Sequence, residues 1–205
     1  VTSNEQYQIH SGDFSEQRSS SNDMMVRWLR NGNSLITFSV IPDEPCDLES
    51  IFLSIDDCVV SVIGQGEATA NHPTLGWIGS LDCIAPGKGY WMTLECDDML
   101  FINGQDVNAT GFSIPLDYGL NLIGYPYSYD AESIASSIPD EFEESFVSII
   151  GEGVAASQYP GIGWVGSLSE FESTDGYWVK VDSDIPDFYF DGCDNRDCST
   201  SCDIV

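Results

Sequence analysis

Residues 76–91 read GWIGSLDCIAPGKGYW and residues 163–178 read GWVGSLSEFESTDGYW, the same frame of Gly-Trp, Gly-Ser-Leu and Gly-Tyr-Trp at a spacing of 87 residues. Extending the comparison outward places residues 29–104 on 116–191 without a gap, with more than twenty identical pairs, several times the number chance supplies. They include Gly32/Gly119, Leu35/Leu122, Ile36/Ile123, Gly64/Gly151, Pro73/Pro160, Trp77/Trp164 and Trp91/Trp178. Self-similarity at a fixed period marks one structural unit used more than once. The expectation is two tandem homologous modules, residues 24–110 and 111–191, preceded by an N-terminal arm, 1–23, and followed by a Cys/Asp-rich tail, 192–205.

The shared positions are mostly glycine, aromatic and aliphatic, the residues of turns and cores. In each copy β-branched and aromatic runs lie between turn residues. Strands are expected over residues 25–30 and 34–40 and, in the second copy, 112–117 and 121–127. A short helix should follow, starting at Asp43 or Asp130 as N-cap and, in the second copy, ending at Pro139. The runs CVVSVIG and SFVSIIG, then GYWMTLE and GYWVKVD, then MLFING and DFYFDG complete a mainly β, β-rich α+β fold.

The chain of 205 residues is 42% hydrophobic and 12% aromatic, enough for a core. Its 6 Lys+Arg face 34 Asp+Glu, a net charge of -28. Such a field repels phosphate backbones and anionic headgroups, so neither nucleic acid nor membrane is expected as a partner. No apolar run approaches the roughly 20 residues of a membrane span. An acidic exterior suits divalent cations and an extracellular or cell- or virion-surface location. Val1 is not followed by a basic-then-apolar leader, so secretion is an inference from charge and cysteines.

The second-copy sequence NLIGYP, IIGEG, GWVGSL and DGYW, with PGKGYW in the first copy, resembles the tandem "NLI…P…GW…PGKGYW" repeat modules of secreted bacterial and marine-virus surface proteins. The resemblance covers most of residues 29–191. It implies an adhesive, fibre-like or cell-surface role and brings no catalytic residue with it. Two departures stand out. The first copy has LITFS where the second has LIGYP, and the second has Ser173, Thr174 and Asp175 where the first has Pro86, Gly87 and Lys88.

Cys46, Cys58, Cys83 and Cys96 all fall in the first copy; their counterparts are Ser133, Ser145, Glu170 and Ser183. Cysteines absent as a set pair most simply with one another. Two disulfides are expected, with Cys46–Cys58 and Cys83–Cys96 the preferred connectivity, against a metal site that lacks CxxC-type spacing. The tail holds Cys193, Cys198 and Cys202, an odd number that leaves one thiol for another subunit or for solvent. Asp191, Asp194, Asn195 and Asp197 supply oxygen ligands in the same segment, a candidate calcium site that competes with a plain solvated acidic loop.

No nucleophile elbow, Walker loop, zinc-protease motif or complete dinucleotide fingerprint occurs, and His10 and His72 have no catalytic context. An enzyme is not expected, and no cofactor beyond calcium. Tyr90-Trp91 and Tyr177-Trp178 sit on expected strands, where neighbouring side chains point to opposite faces. With Trp77 and Trp164, Trp91 and Trp178 are candidates for stacking on a glycan; core packing is the competing reading. Residues 1–22 are polar and Ser-rich, yet EQYQIH alternates Tyr7 and Ile9 against polar neighbours, with Phe14 beyond. That pattern suits adding a strand to a sheet edge, in the same chain or in a neighbour. Self-association into a polymer follows if the edge is a neighbour's. Asn108-Ala-Thr110 is the one N-glycosylation sequon and falls between the copies.

Overall fold

The computed structural model describes residues 23–107, 112–128, 130–131 and 133–191. The assembly arm with Tyr7, Ile9 and Phe14, the sequon at Asn108, the cysteines 193, 198 and 202, and Asp194, Asn195 and Asp197 lie outside the described residues.

The chain is mainly β. In the first half β1 (Asp23–Leu29), β2 (Gly32–Ile36) and β3 (Val40–Ile41) lead into a helical turn α1 (Leu48–Ile51) and a 3-10 turn, Leu53–Ile55. Then come β4 (Val59–Ile63), β5 (Ala68–His72), β6 (Gly76–Gly79), β7 (Tyr90–Leu94) and β8 (Asp98–Asp106). The second half has β9 (Ile114–Leu116), β10 (Gly119–Gly124), α2 (Ile134–Ser137), α3 (Asp140–Glu143) and β11 (Phe146–Ile150). It ends with β12 (Ala155–Tyr159), β13 (Gly163–Gly166), β14 (Gly176–Val181) and β15 (Ile185–Phe188).

Each half builds a five-stranded antiparallel sheet, in the orders β2-β7-β4-β5-β6 and β10-β14-β11-β12-β13. The spacing of 87 residues recurs in the register: Leu35 faces Trp91 as Leu122 faces Trp178, and Thr69 faces Gly79 as Ala156 faces Gly166. Even the ladder irregularity recurs, between Val59 and Ser61 and between Phe146 and Ser148. Beside each sheet runs an antiparallel pair, β1-β8 and β9-β15; Leu29 faces Asp98 as Leu116 faces Ile185. In the first half β3 adds to the far side of β8, leaving β1 at the edge among the described residues.

Apolar alternation directs one face of each sheet into its own core. The first core gathers Phe38, Phe52, Val62, Tyr90 and Met92, the second Tyr125, Phe146, Phe171, Tyr177 and Phe188. The helical turns cover these cores, but they start later than expected. Asp47, not Asp43, caps α1, accepting the Ser50 N–H at 3.2 Å. Ser133, not Asp130, caps α2, in a reciprocal box with Ser136. The Asp130 carboxylate instead accepts the Ser173 N–H at 2.6 Å, so it closes a loop. Pro139 ends α2 as expected and caps α3, where its lacking N–H costs nothing. The strands read as 34–40 and 121–127 stop early, at Ile36 and Gly124: the Thr37 N–H turns to the Thr174 carbonyl of the other half, and the Tyr125 N–H to the Asp175 carbonyl of its own.

Two disulfides staple the first half, but they join Cys46 to Cys83 and Cys58 to Cys96. The expected pairing of sequence neighbours is corrected by the antiparallel ladder. Val59 faces Leu94, and the Glu95 N–H reaches the Cys58 carbonyl at 2.8 Å, so 58 and 96 flank one end of the β4-β7 pair. The Ile84 N–H on the Pro45 carbonyl, at 2.9 Å, does the same for 46 and 83.

The halves meet through contacts that come in pairs related by the same spacing. The Leu35 N–H reaches Glu152 Oε2 at 3.1 Å, and the Leu122 N–H reaches Gln65 Oε1 at 2.7 Å. The Thr37 N–H donates to the Thr174 carbonyl at 2.9 Å, and the Gly124 N–H to the Gly87 carbonyl at 2.8 Å. Isolated bridges join Ile36 to Asp175 and Lys88 to Ile123. In each pair, position i of one half meets j of the other and j meets i, the signature of an isologous two-fold contact.

Candidate functional site

Three surfaces of the structure bear on function. The first surrounds Trp77. Its ring is half-buried on β6, 5.1 Å from Phe52, and it forms a wall of two open clefts of about 600 and 440 Å³. Glu49, Asp56, Asp57 and Glu95 line the larger cleft together with Asn71 and His72. Asn71 is held by its amide on Asp56 at 3.0 Å, and His72 Nδ1 lies 3.3 Å from the Thr74 N–H that it accepts. An aromatic edge beside carboxylates and an amide can stack on a sugar face and bind its hydroxyls.

The other tryptophans do not join this site. Trp91 lies on the opposite face of the sheet from Trp77, in a cross-strand row with Leu35 and Ile63. Trp178 occupies the matching row with Leu122 and Ile150. Both are half-buried, while Tyr90 and Tyr177 before them are buried, so the alternation expected along these strands is present. Trp164 packs edge-on to Phe146 at 6.3 Å, and its buried indole N–H has no hydrogen-bond partner among the described residues.

The buried tyrosines are structural in both halves. The Ala85 N–H donates to the Tyr90 hydroxyl at 2.8 Å, and the Glu172 N–H donates to that of Tyr177 at 2.7 Å. Burial pushes the Tyr90 phenol up to about 12, and pushes Tyr177 up as well; in each case the donated backbone hydrogen bond only partly offsets it.

The second surface is the β1-β8 ribbon. Met24, Val26 and Trp28 alternate along one side of β1 at 57%, 45% and 55% exposure, and Phe101, opposite Val26, is 44% exposed. Alternation would normally put polar residues there. The sequence signal is DMMVRWL, apolar at both parities, which predicts a strand but not which of its faces is covered.

The third surface is the seam between the halves, where Arg27 reaches across. Its guanidinium sits 2.5 Å from Asp175 Oδ1 and donates to Thr174 Oγ1 at 2.8 Å. Burial pushes the Asp175 carboxyl above the usual range despite the opposing pull of Arg27. Thr174 has φ 65°, the left-handed region, where its counterpart Gly87 has φ 69°. Sequence reasoning flagged the loss of the Pro-Gly-Lys triplet at this loop but gave Arg27 no role. The available signal was one of only 6 cations placed inside an apolar strand.

Of the candidate calcium ligands only Asp191 is described; it is exposed, and its N–H donates to the Ser137 carbonyl at 2.7 Å. Among the described residues no three His, Cys, Asp or Glu side chains are grouped to hold a metal ion, and no helix is long and apolar enough to cross a membrane. Comparison of the chain with protein-family models, curated proteins and solved structures returns no match.

Proposed function

We propose that this protein is a non-catalytic extracellular structural subunit of a surface filament, fibre or virion appendage, assembled when the N-terminal arm of one copy adds as a strand to the next. The observation that carries this reading is the β1 edge. It follows directly on the arm, pairs on one side only among the described residues, and bears an exposed row of Met24, Val26 and Trp28 with Phe101 beside it. A strand edge with an apolar face is a template for pairing, and a lone stable subunit would be expected to blunt it with charge. Residues 5–10, EQYQIH, offer alternate apolar side chains for such an edge. Head-to-tail addition of this kind does not close and gives an open polymer. Two disulfides support placement in an oxidising compartment. Negative-stain images and sedimentation of the intact chain beside residues 23–205 test the reading: polymers from the first and single subunits from the second are expected, and single subunits from both contradict it.

A second reading has its own support at Trp77, where two clefts share an aromatic wall and carboxylates: a carbohydrate-binding or adhesion module, calcium-assisted through the acidic tail. Binding on a glycan array, lost in Trp77→Ala and weakened by chelator, is its expected result. An array without signal removes it.

A further inference from the structure

We infer that the seam between the halves is a two-fold pairing surface made selective, so that each half accepts the opposite half and rejects a copy of itself. The selectivity rests on contacts between the halves and owes nothing to the arm. Hydrogen bonds across the seam are nearly the same from both sides: the Leu35 and Leu122 N–H groups meet side-chain oxygens of Glu152 and Gln65, and the Thr37 and Gly124 N–H groups meet backbone carbonyls, so these bonds would serve like halves equally well. Two side-chain differences would not.

The first is steric. Thr37 and its counterpart Gly124 touch each other across the seam: a Cβ built at Gly124 would lie 1.9 Å from Thr37 Oγ1. A pair of first halves would bring Thr37 against Thr37, which overlaps; a pair of second halves would leave glycine against glycine and a gap. The second difference is electrostatic. Arg27 meets Thr174 and Asp175 on the opposite half. The related spot holds Ile114, whose Cγ2 would lie 3.0 Å from a Cβ on Gly87, next to Lys88. Two first halves would set Arg27 beside Lys88, two like charges; two second halves would set Ile114 beside Asp175, a partly buried carboxylate without its cation. Attraction in the correct pair and penalties in both wrong ones is how a specific interface is built. Thr37 and Lys88 fall in two stretches where the copies differ, LITFS against LIGYP and PGK against STD.

The test begins with the full folded chain carrying a protease site within residues 108–111. The chain is cut, the fragments are allowed to exchange in mild denaturant, and native mass spectrometry counts the pairs. Mixed pairs should exceed like pairs by at least about tenfold. Thr37→Gly with Lys88→Asp gives the first half both Arg27 and an acidic partner and removes the overlap, so like pairs of that half should appear. Like pairs in the unmodified protein, separation of its fragments, or mixed pairs alone in the variant would each overturn the proposal. In the uncut chain Gly124→Thr should lower the melting midpoint, and adding Thr37→Gly, which moves the side chain across the seam, should restore most of the loss. No recovery would also overturn it.

Discussion

The two halves share a strand order and a register but hold their cores by different chemistry. In the first, Cys58 joins Cys96 across the end of β4-β7; at the same spot in the second, the Ser183 hydroxyl donates to Ser145 Oγ at 3.0 Å. The first core has ring contacts of its own among Phe38, Phe52, Tyr90 and Trp77, but the second adds rings at three positions where the first has none. Phe171 lies parallel to Tyr125 at 5.6 Å and edge-on to Tyr177 and Phe190 at 5.0 and 5.1 Å, and Phe146 and Phe188 meet at 5.2 Å. The counterparts of Phe171, Phe146 and Phe190 are Ile84, Val59 and Asn103. A small β unit has little core to spare, and it can be secured either by limiting the freedom of its unfolded chain or by burying more ring area. This molecule uses one solution in each half.

The largest break in that comparison comes from removing the staples. Bridges closing 37 and 38 residues each contribute about 4 kcal/mol by chain entropy. Reduction should therefore unfold the first half while the second stays folded, which hydrogen exchange resolved by peptide will read as protection lost over residues 23–107 only. Uniform loss would show one cooperative unit. Phe171→Ala is the reciprocal experiment. It should cost about 3–5 kcal/mol, confined to the second half, as read by denaturant titration under oxidising conditions. Ser145→Cys with Ser183→Cys then imports the other half's solution, and the new bridge should raise stability by about 2–4 kcal/mol, lost again on reduction.

Smaller effects sharpen the parts the halves share. Tyr90 and Tyr177 bind their protons more tightly folded than unfolded, so the stability they contribute is full below about pH 10 and declines as pH rises from there, for Tyr90 toward about 12. Alkaline melting curves should fall over that window, and Tyr90→Phe should flatten the fall. Thr174→Gly relieves a left-handed φ at a cost of about 1–2 kcal/mol but gives up the Oγ1 contact to Arg27. The net gain should be under about 1 kcal/mol in the melting curve.

The repeat was legible because glycines and tryptophans at fixed spacing have turn and core duties that composition alone exposes. Helix starts were misplaced by about one turn because Asp43 and Asp130 have the right side chain, whereas the cap forms where the chain actually turns, at Asp47 and Ser133. Disulfide partners are not legible from order along the chain, because β4 and β7 are distant in sequence and adjacent in the ladder. The four tryptophans looked alike as motif residues, yet a strand's alternation sends Trp77 and Trp91 to opposite faces of one sheet. Thr37 and Asp175 were visible only as departures from a pattern. Their meaning needed the seam, because Thr37 meets its own counterpart Gly124 and Asp175 meets Arg27 only across it.

Whether copies join through the arm at β1 is tested most directly by hydrogen exchange of residues 23–29 and 5–10 as a function of protein concentration. Protection of both segments should rise together with concentration and vanish from β1 when residues 1–22 are deleted. Exchange that is indifferent to concentration, or β1 protection that survives the deletion, would contradict assembly by strand addition.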